Sequence, residues 1–351
     1  MFKLAWSLPQ DRNEFDPGVS GVCPGVWRGR EALYFENKLA APVLLRDEIG
    51  LDRFRLQAEI ACPGPVGFIG LVFGARDADN FELVYVSPAY KDYPGEIQYD
   101  PFMNGSSTWQ IYNGPRYQAP APFAPGEWTK LALDVQPHSV SIYVGETGEP
   151  QLVIPNLQHG RCSGRIGVWG YLPGYIRNLS VEEIQEVPPA PVHGTVTDPD
   201  KLSADSFVTE WTVSEPYSRD GHPIPAGKRK VVVEENGTLN LNRLYKSEAG
   251  TSVRAECRFT LPEERESVLS FGYSDHIRLW VNEEEVYGGA WKWGPPESDG
   301  RIRPGHAAVS VRWKAGLNTI RAEVASEEVM FGWGLCVRTG LPGLSYLSDE
   351  D

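Results

Sequence analysis

The densest run of side chains suited to ligand chemistry is Glu96-Ile-Gln-Tyr-Asp-Pro-Phe-Met-Asn-Gly-Ser-Ser-Thr-Trp-Gln-Ile-Tyr-Asn-Gly-Pro-Arg-Tyr-Gln118. Trp109, Tyr112 and Tyr117 are of the type that stacks on the C–H face of a sugar ring. Gln98, Asp100, Asn104, Gln110 and Arg116 are of the type that bonds its hydroxyls. On strands, Gln98 and Asp100 point one way together, as do Gln110 and Tyr112. Such a face is odd for a core and suits a concave surface that binds a neutral oligosaccharide or glycoside without covalent chemistry. The plainer alternative is a pair of exposed strands whose aromatics pack on a rim.

Two further clusters stand apart from that run. Trp291 and Trp293 precede the loop Gly294-Pro-Pro-Glu-Ser-Asp-Gly-Arg301. A loop that mixes rigid aromatics with Asp299 and Arg301 serves recognition, a protein contact, or its own anchoring. Arg76-Asp-Ala-Asp-Asn-Phe81 is expected between two strands, as a polar hairpin or a calcium loop built from Asp77, Asp79 and Asn80. A hard cation wants more oxygens than these three supply, so calcium is the only cofactor considered and none is required.

Catalytic patterns are sparse. Gly-x-Ser-x-Gly, Walker A and His-Glu-x-x-His are absent, and the histidines at 138, 159, 193, 222, 276 and 306 form no ligand pair. Glu182, Glu183 and Glu186 read as solvated. On general acid–base grounds the candidates are Glu82, Glu96, Asp100 and Arg116.

With 33 Lys and Arg against 47 Asp and Glu, the formal charge of −14 opposes phosphate backbones and anionic lipid. Nucleic acid and membrane insertion are therefore not expected. Five separated cysteines, at 23, 62, 162, 257 and 336, suggest reduced thiols. No signal-length apolar run opens the sequence, so a cytoplasmic location is expected, or secretion if a leader has been removed. The triplets at Asn104, Asn178 and Asn236 match glycosylation acceptors but read as turns and chance matches.

The elements that must position these residues are strands. In a chain of 351 residues, 36 Gly, 29 Pro and 11 Trp favour short strands and tight turns, with helix under roughly a tenth of the chain. Alternation at Phe54, Leu56, Ala58 and Ile60, at Leu131 to Val135 and at Val140 to Val144 predicts half-buried strands. Gly67 to Gly74, apolar on both faces, predicts a central one. Further strands are predicted at 231–233, 253–259, 268–271, 277–281, 309–313 and 319–324. Val187-Pro-Pro-Ala-Pro-Val192 predicts an extended connector, and Asp198 to Asp205 reads as its continuation. The expected fold class is all-β: two β-sandwich domains, 1–187 and 207–351, joined by a linker over 188–206. Ser348 to Asp351 is expected to fray.

The first half resembles the concanavalin A-like lectin/glucanase superfamily in its laminin-G-like branch. The resemblance spans roughly residues 25 to 185. It lies in the order of Phe54-Arg-Leu-Gln-Ala-Glu59, Gly70-Leu-Val-Phe-Gly-Ala-Arg-Asp77, Asn80-Phe-Glu-Leu-Val84, Gly126-Glu-Trp-Thr-Lys-Leu131, Gly164-Arg-Ile-Gly-Val-Trp169 and Ile176-Arg-Asn-Leu-Ser180. Roughly residues 205 to 340 resemble a galactose-binding-like jelly roll. The cues are Phe271 to Asn282, Ala315-Gly-Leu-Asn-Thr-Ile320 and Phe331-Gly-Trp-Gly-Leu-Cys-Val-Arg338. These resemblances imply jelly rolls and raise the expectation of glycan binding. Glycanases of the first superfamily generally carry Glu-x-Asp-x-x-Glu on a strand, which this sequence lacks. The Gly70 to Asn80 and Gly126 to Trp128 regions also look like 3-keto-disaccharide hydrolase-like jelly rolls, which implies a glycoside-processing alternative. A structural or protein-interaction module is the third expectation.

Overall fold

The computed structural model describes residues 2–36, 38–91, 94–186, 199–219 and 227–347. The expected connector Val187 to Val192, His193, His222 and the tail from Ser348 lie outside the described residues. The protein is all-β, with antiparallel sheets throughout. It divides into two units: Met1–Phe102 with Gly114–Gly194, and Met103–Asn113 with Thr195–Asp351. The segment 103–113, expected within the first domain, thus groups with the second unit.

In the first unit, one sheet runs in the order Leu152–Ile154, Val140–Val144, Thr129–Val135, Phe54–Ala61, Gly174–Glu183, Arg30–Phe35, Cys23–Trp27. Along Phe54–Ala61, Phe54, Leu56, Ala58 and Ile60 are buried while Arg55, Gln57 and Glu59 stay half-exposed, as the period of two demands. The second sheet runs Gln118–Pro120, Glu96–Tyr99, Glu82–Ser87, Phe68–Ala75, Arg165–Tyr171, Pro42–Leu45, Phe15–Asp16. Its Phe68–Ala75 strand is buried on both faces from Ile69 onward, as its composition predicts.

In the second unit, the large sheet runs Lys228–Val232, Glu210–Ser214, Thr251–Leu261, Gly316–Ser326, His276–Val281, Glu284–Ala290. Facing it is a four-stranded sheet of Thr238–Asn240, Gly334–Arg338, Arg265–Ser274 and Ala307–Trp313. Side chains of both sheets fill one core, including Phe259, Leu279 and Ile320 from the first and Phe271, Trp313 and Leu335 from the second. The two turns picked out by their Asn residues meet: Asn282 Nδ2 donates to Asn318 Oδ1 at 2.9 Å, and Thr319 N donates to Asn282 Oδ1 at 2.9 Å. Their polar tips satisfy each other at the strand ends.

Where Asp198 to Asp205 was expected to continue the linker, Pro199–Ala204 forms an α-helix. Proline's fixed φ suits the first helical position, where its missing N–H costs nothing. All five cysteines are free thiols, and only Cys23 is exposed.

Gly167 sits mid-strand with Leu44 on one side and Val72 on the other. A Cβ there would lie 2.2 Å from the Val43 carbonyl oxygen, which has no room to move inside a paired ladder. Gly167→Ala is expected to lower stability by about 2–3 kcal/mol. Urea unfolding followed by fluorescence measures this; an unchanged midpoint contradicts the packing.

Candidate functional site

The segment 103–113 is not the strand that would align Gln110 with Tyr112. Asn104 and Gly105, at φ 51° and 82°, make a tight turn. The Thr108 carbonyl then accepts from Ile111 N at 2.8 Å and Tyr112 N at 2.9 Å, closing a second turn. The segment is fastened within its unit by Asn104 Nδ2 to the Asn242 carbonyl (2.7 Å), Ser106 Oγ to the Val329 carbonyl (2.9 Å) and Ser107 N to the Met330 carbonyl (3.0 Å). Asn236 Nδ2 donates to the Ile111 carbonyl at 2.8 Å. Tyr112 is fully buried, and its hydroxyl accepts from Arg243 Nη2 at 3.2 Å. Burial holds the Tyr112 hydroxyl well above the ordinary phenol range. Tyr112 is an anchor, not a ligand surface.

Between these anchors Trp109 is half-buried, and it organises an aromatic patch. Its ring meets Trp293 edge-on at 5.5 Å and Phe331 edge-on at 5.7 Å. The Arg301 guanidinium lies 5.2 Å from the Trp109 ring centre. Trp293 is 47% exposed and forms the open part of the patch. The loop that carries it is a small hairpin in which Trp293 pairs with Asp299 and Gly294 with Ser298. Trp291 does different work: it packs on the core, donates from Nε1 to the Arg301 carbonyl at 3.1 Å and contacts His306 at 4.0 Å. One tryptophan pins the loop and the other is presented by it.

Beside the rings is a network of carboxyls. One oxygen of the buried Asp275 accepts the backbone N–H groups of Glu327 (2.5 Å) and Glu328 (2.6 Å); the other accepts from Ser274 Oγ at 2.8 Å. Glu328 Oε2 accepts from Trp293 N at 2.9 Å and lies 3.5 Å from Gln110 Nε2. Gln110 is buried and also bonds Ser274 Oγ at 3.1 Å, so it positions the site from beneath. Burial raises the Glu328 carboxyl to about 7, and the neighbouring Asp275 carboxylate adds to the rise. The adjacent Glu327 is held down to about 2 by Lys292, 2.7 Å away, and by His276. Two successive glutamates therefore differ in charge near neutrality, a contrast typical of functional sites.

The remaining candidates lie in the first unit and are mostly built into it. Glu82 is buried and accepts from the Tyr99 hydroxyl at 2.6 Å and from His159 N at 2.8 Å. Gln98 and Asp100 are buried; Gln98 Nε2 donates to the Tyr99 carbonyl at 2.6 Å and Asp100 N to the Leu83 carbonyl at 2.9 Å. Tyr117 is buried and stacks on Tyr99 at 6.4 Å, with the Arg116 guanidinium 5.8 Å from its ring centre. Glu96 is half-exposed on the strand that pairs with Gln118–Pro120. The expected sugar face is thus divided between the units, with Gln98, Asp100, Gln110 and Tyr112 all buried. Asp77 Oδ1 accepts from Asp79 N at 2.9 Å and Asn80 Nδ2 at 3.0 Å, the bonding of a polar hairpin. Among the described residues no three His, Cys, Asp or Glu side chains cluster as metal ligands, and no helix is long and apolar enough to cross a membrane.

Of the residues this patch brings together, Trp109, Gln110, Trp291 and Trp293 are named as candidates from the sequence, and Glu328 and Asp275 are not. The available signal was the pair Glu327-Glu328 just ahead of the aromatic phrase Phe331-Gly-Trp333.

No protein-family model and no curated protein matches the sequence. Among solved structures, the chain is similar to the carbohydrate binding module CBM66 from Bacillus subtilis at 13% identity, with 48% of this chain and 96% of that one covered and a TM-score of 0.38. It is similar to the galectin LEC-6 of Caenorhabditis elegans at 14% identity, with coverages of 43% and 96% and a TM-score of 0.30. For xylan beta-1,4-xylosidase from Bacillus halodurans C-125 the identity is 14%, the coverages 51% and 39%, and the TM-score 0.37. Likenesses this distant leave function to the side chains.

The Glu328 shift has a sign that can be checked. A carboxyl whose folded value is raised stabilises the fold below its unfolded value, near 4.5, and that contribution is lost as pH rises through about 7. Glu328→Gln keeps an acceptor for Trp293 N and removes the charge. It is expected to match the parent at pH 4 and exceed it at pH 8 by on the order of 1 kcal/mol, after discounting for solvent screening of a half-exposed group. Equal melting temperatures at pH 8 would contradict the placement of this carboxyl.

Proposed function

We propose that this protein binds a saccharide without covalent chemistry and that the ligand sits on the Trp109, Trp293 and Phe331 patch of the second unit. The observation that carries the reading is Trp293, an exposed indole braced edge-on by a second indole and fixed through its own backbone N–H to a half-buried carboxyl. A braced ring offers apolar area at little entropic cost to the C–H face of a pyranose. Glu328 supplies hydroxyl contacts, as a donor when protonated and as an acceptor when ionised. The absence of strong net charge in this ring of groups suits a neutral sugar. A short glycan is then held in the micromolar to millimolar range.

A carboxyl titrating near neutrality also suits general acid chemistry, the one observation that favours a glycoside-processing enzyme. Hydrolysis with paired carboxyls needs a second one free to act. Asp275 is committed to two backbone amides and the Ser274 hydroxyl, so its role is to position. Binding is the better reading.

A glycan array followed by titration of the hits tests it. Trp293→Ala is expected to weaken binding roughly fivefold or more while shifting the melting temperature little, since the residue is 47% exposed and lies outside the core. Intact binding with a lowered melting temperature would make Trp293 a packing residue, and turnover of the bound glycan would favour the enzyme.

A further inference from the structure

Independently of that patch, the first unit presents an outward sheet face with its own aromatic and charged groups. Trp27, Tyr175 and Tyr34 stack in a row, with ring centres 5.4 and 4.6 Å apart. All three are half-exposed on neighbouring strands. Beside them Glu59 Oε2 is approached by Arg177 Nε at 3.0 Å, Arg30 Nη1 at 3.7 Å and Asn178 Nδ2 at 3.2 Å. Lys130 lies directly across the strand pair from Glu59. Arg177 also lies 5.9 Å from the Trp128 ring centre.

Two guanidinium groups therefore approach one carboxylate, with Lys130 opposite it in register. Among the described residues, Lys130 is also 3.9 Å from Glu146, which is 87% exposed, and Glu36 is near Tyr34 and Tyr175. Arg28, on the same edge, is already matched by Glu127 at 2.8 Å. In a chain of formal charge −14 a cluster of cations beside an aromatic row stands out. Arg177 pairs with Glu59 through Nε, while Arg30, 51% exposed, reaches it only loosely. A guanidinium with spare donors beside standing aromatic rings matches a pyranose bearing a carboxylate, which is bonded in plane by the fork and packed on its C–H face by the rings.

We propose that this face is a second saccharide site and that it takes an acidic sugar, a uronate in its carboxylate form. The positive charge selects the ligand and the row Trp27, Tyr175 and Tyr34 orients it.

Calorimetric titration of the full chain with a short oligogalacturonate, and with its methyl ester as the uncharged counterpart, tests the assignment. The acid form is expected to bind at least roughly tenfold tighter than the ester, with affinity falling as salt rises. Arg177→Gln and Arg30→Gln are each expected to weaken it roughly tenfold, and Trp293→Ala is expected to leave it unchanged. If Arg177→Gln fails to fold, the exposed Arg30 variant carries the test. Equal binding of acid and ester, absence of binding, or affinity untouched by the arginine variants overturns the proposal. Loss of uronate binding in Trp293→Ala also overturns it, by assigning the ligand to the second unit's patch.

Discussion

Two consecutive backbone amides, those of Glu327 and Glu328, donate to a single oxygen of Asp275. That buried carboxylate fixes where the chain leaves the Gly316–Ser326 strand, and so where Phe331 and the Glu328 side chain come to rest. Burial, with Asp275 close by adding to it, raises the Glu328 carboxyl. Glu328 in turn holds the backbone of Trp293. Removing Asp275 would take that acceptor from both amides and release the ring that faces solvent.

The same unit depends on a segment drawn from far away in sequence. Residues 103–113 bring Trp109 against Trp293 and Gln110 to Glu328, held by the Ser106 hydroxyl on the Val329 carbonyl and by main-chain bonds with Met330 and Ile302. Short turns allow this: the Thr108, Gln110 and Ile111 carbonyls each meet a donor, which lowers the cost of burying a non-regular segment. Rigidity of the patch comes from these bonds, and rigidity is what allows an exposed indole to act as a platform.

Much of the fold was legible because strands with one buried face must alternate, as Phe54 to Ile60 does. Gly167 and the Asn282 and Asn318 turns were legible through the special demands of close approach and strand ends. The site was legible only in part. Trp109 and Trp293 advertise themselves by type, but nothing local reveals that 184 positions of sequence separate two rings 5.5 Å apart. Period-two reasoning also misplaced Gln110 and Tyr112, since turns at Asn104 and Thr108 replace the strand it assumes. Glu328 looked like any surface acid; its burial is a product of tertiary packing. The basic face around Glu59 was hidden for the opposite reason, as Arg30, Glu59 and Arg177 lie on separate strands and meet only through register.

The central claim is that Trp109 and Trp293 meet the neutral ligand while Trp313 and Trp333 serve the core of the same unit. Indole N–H resonances of the protein during titration with a neutral oligosaccharide test this most directly. The account predicts that the signals of Trp109 and Trp293 shift together, while those of the buried Trp313 and Trp333 stay fixed. Shifts confined to Trp27 and Trp128, or no shift at either Trp109 or Trp293 on saturation with a bound glycan, would contradict it.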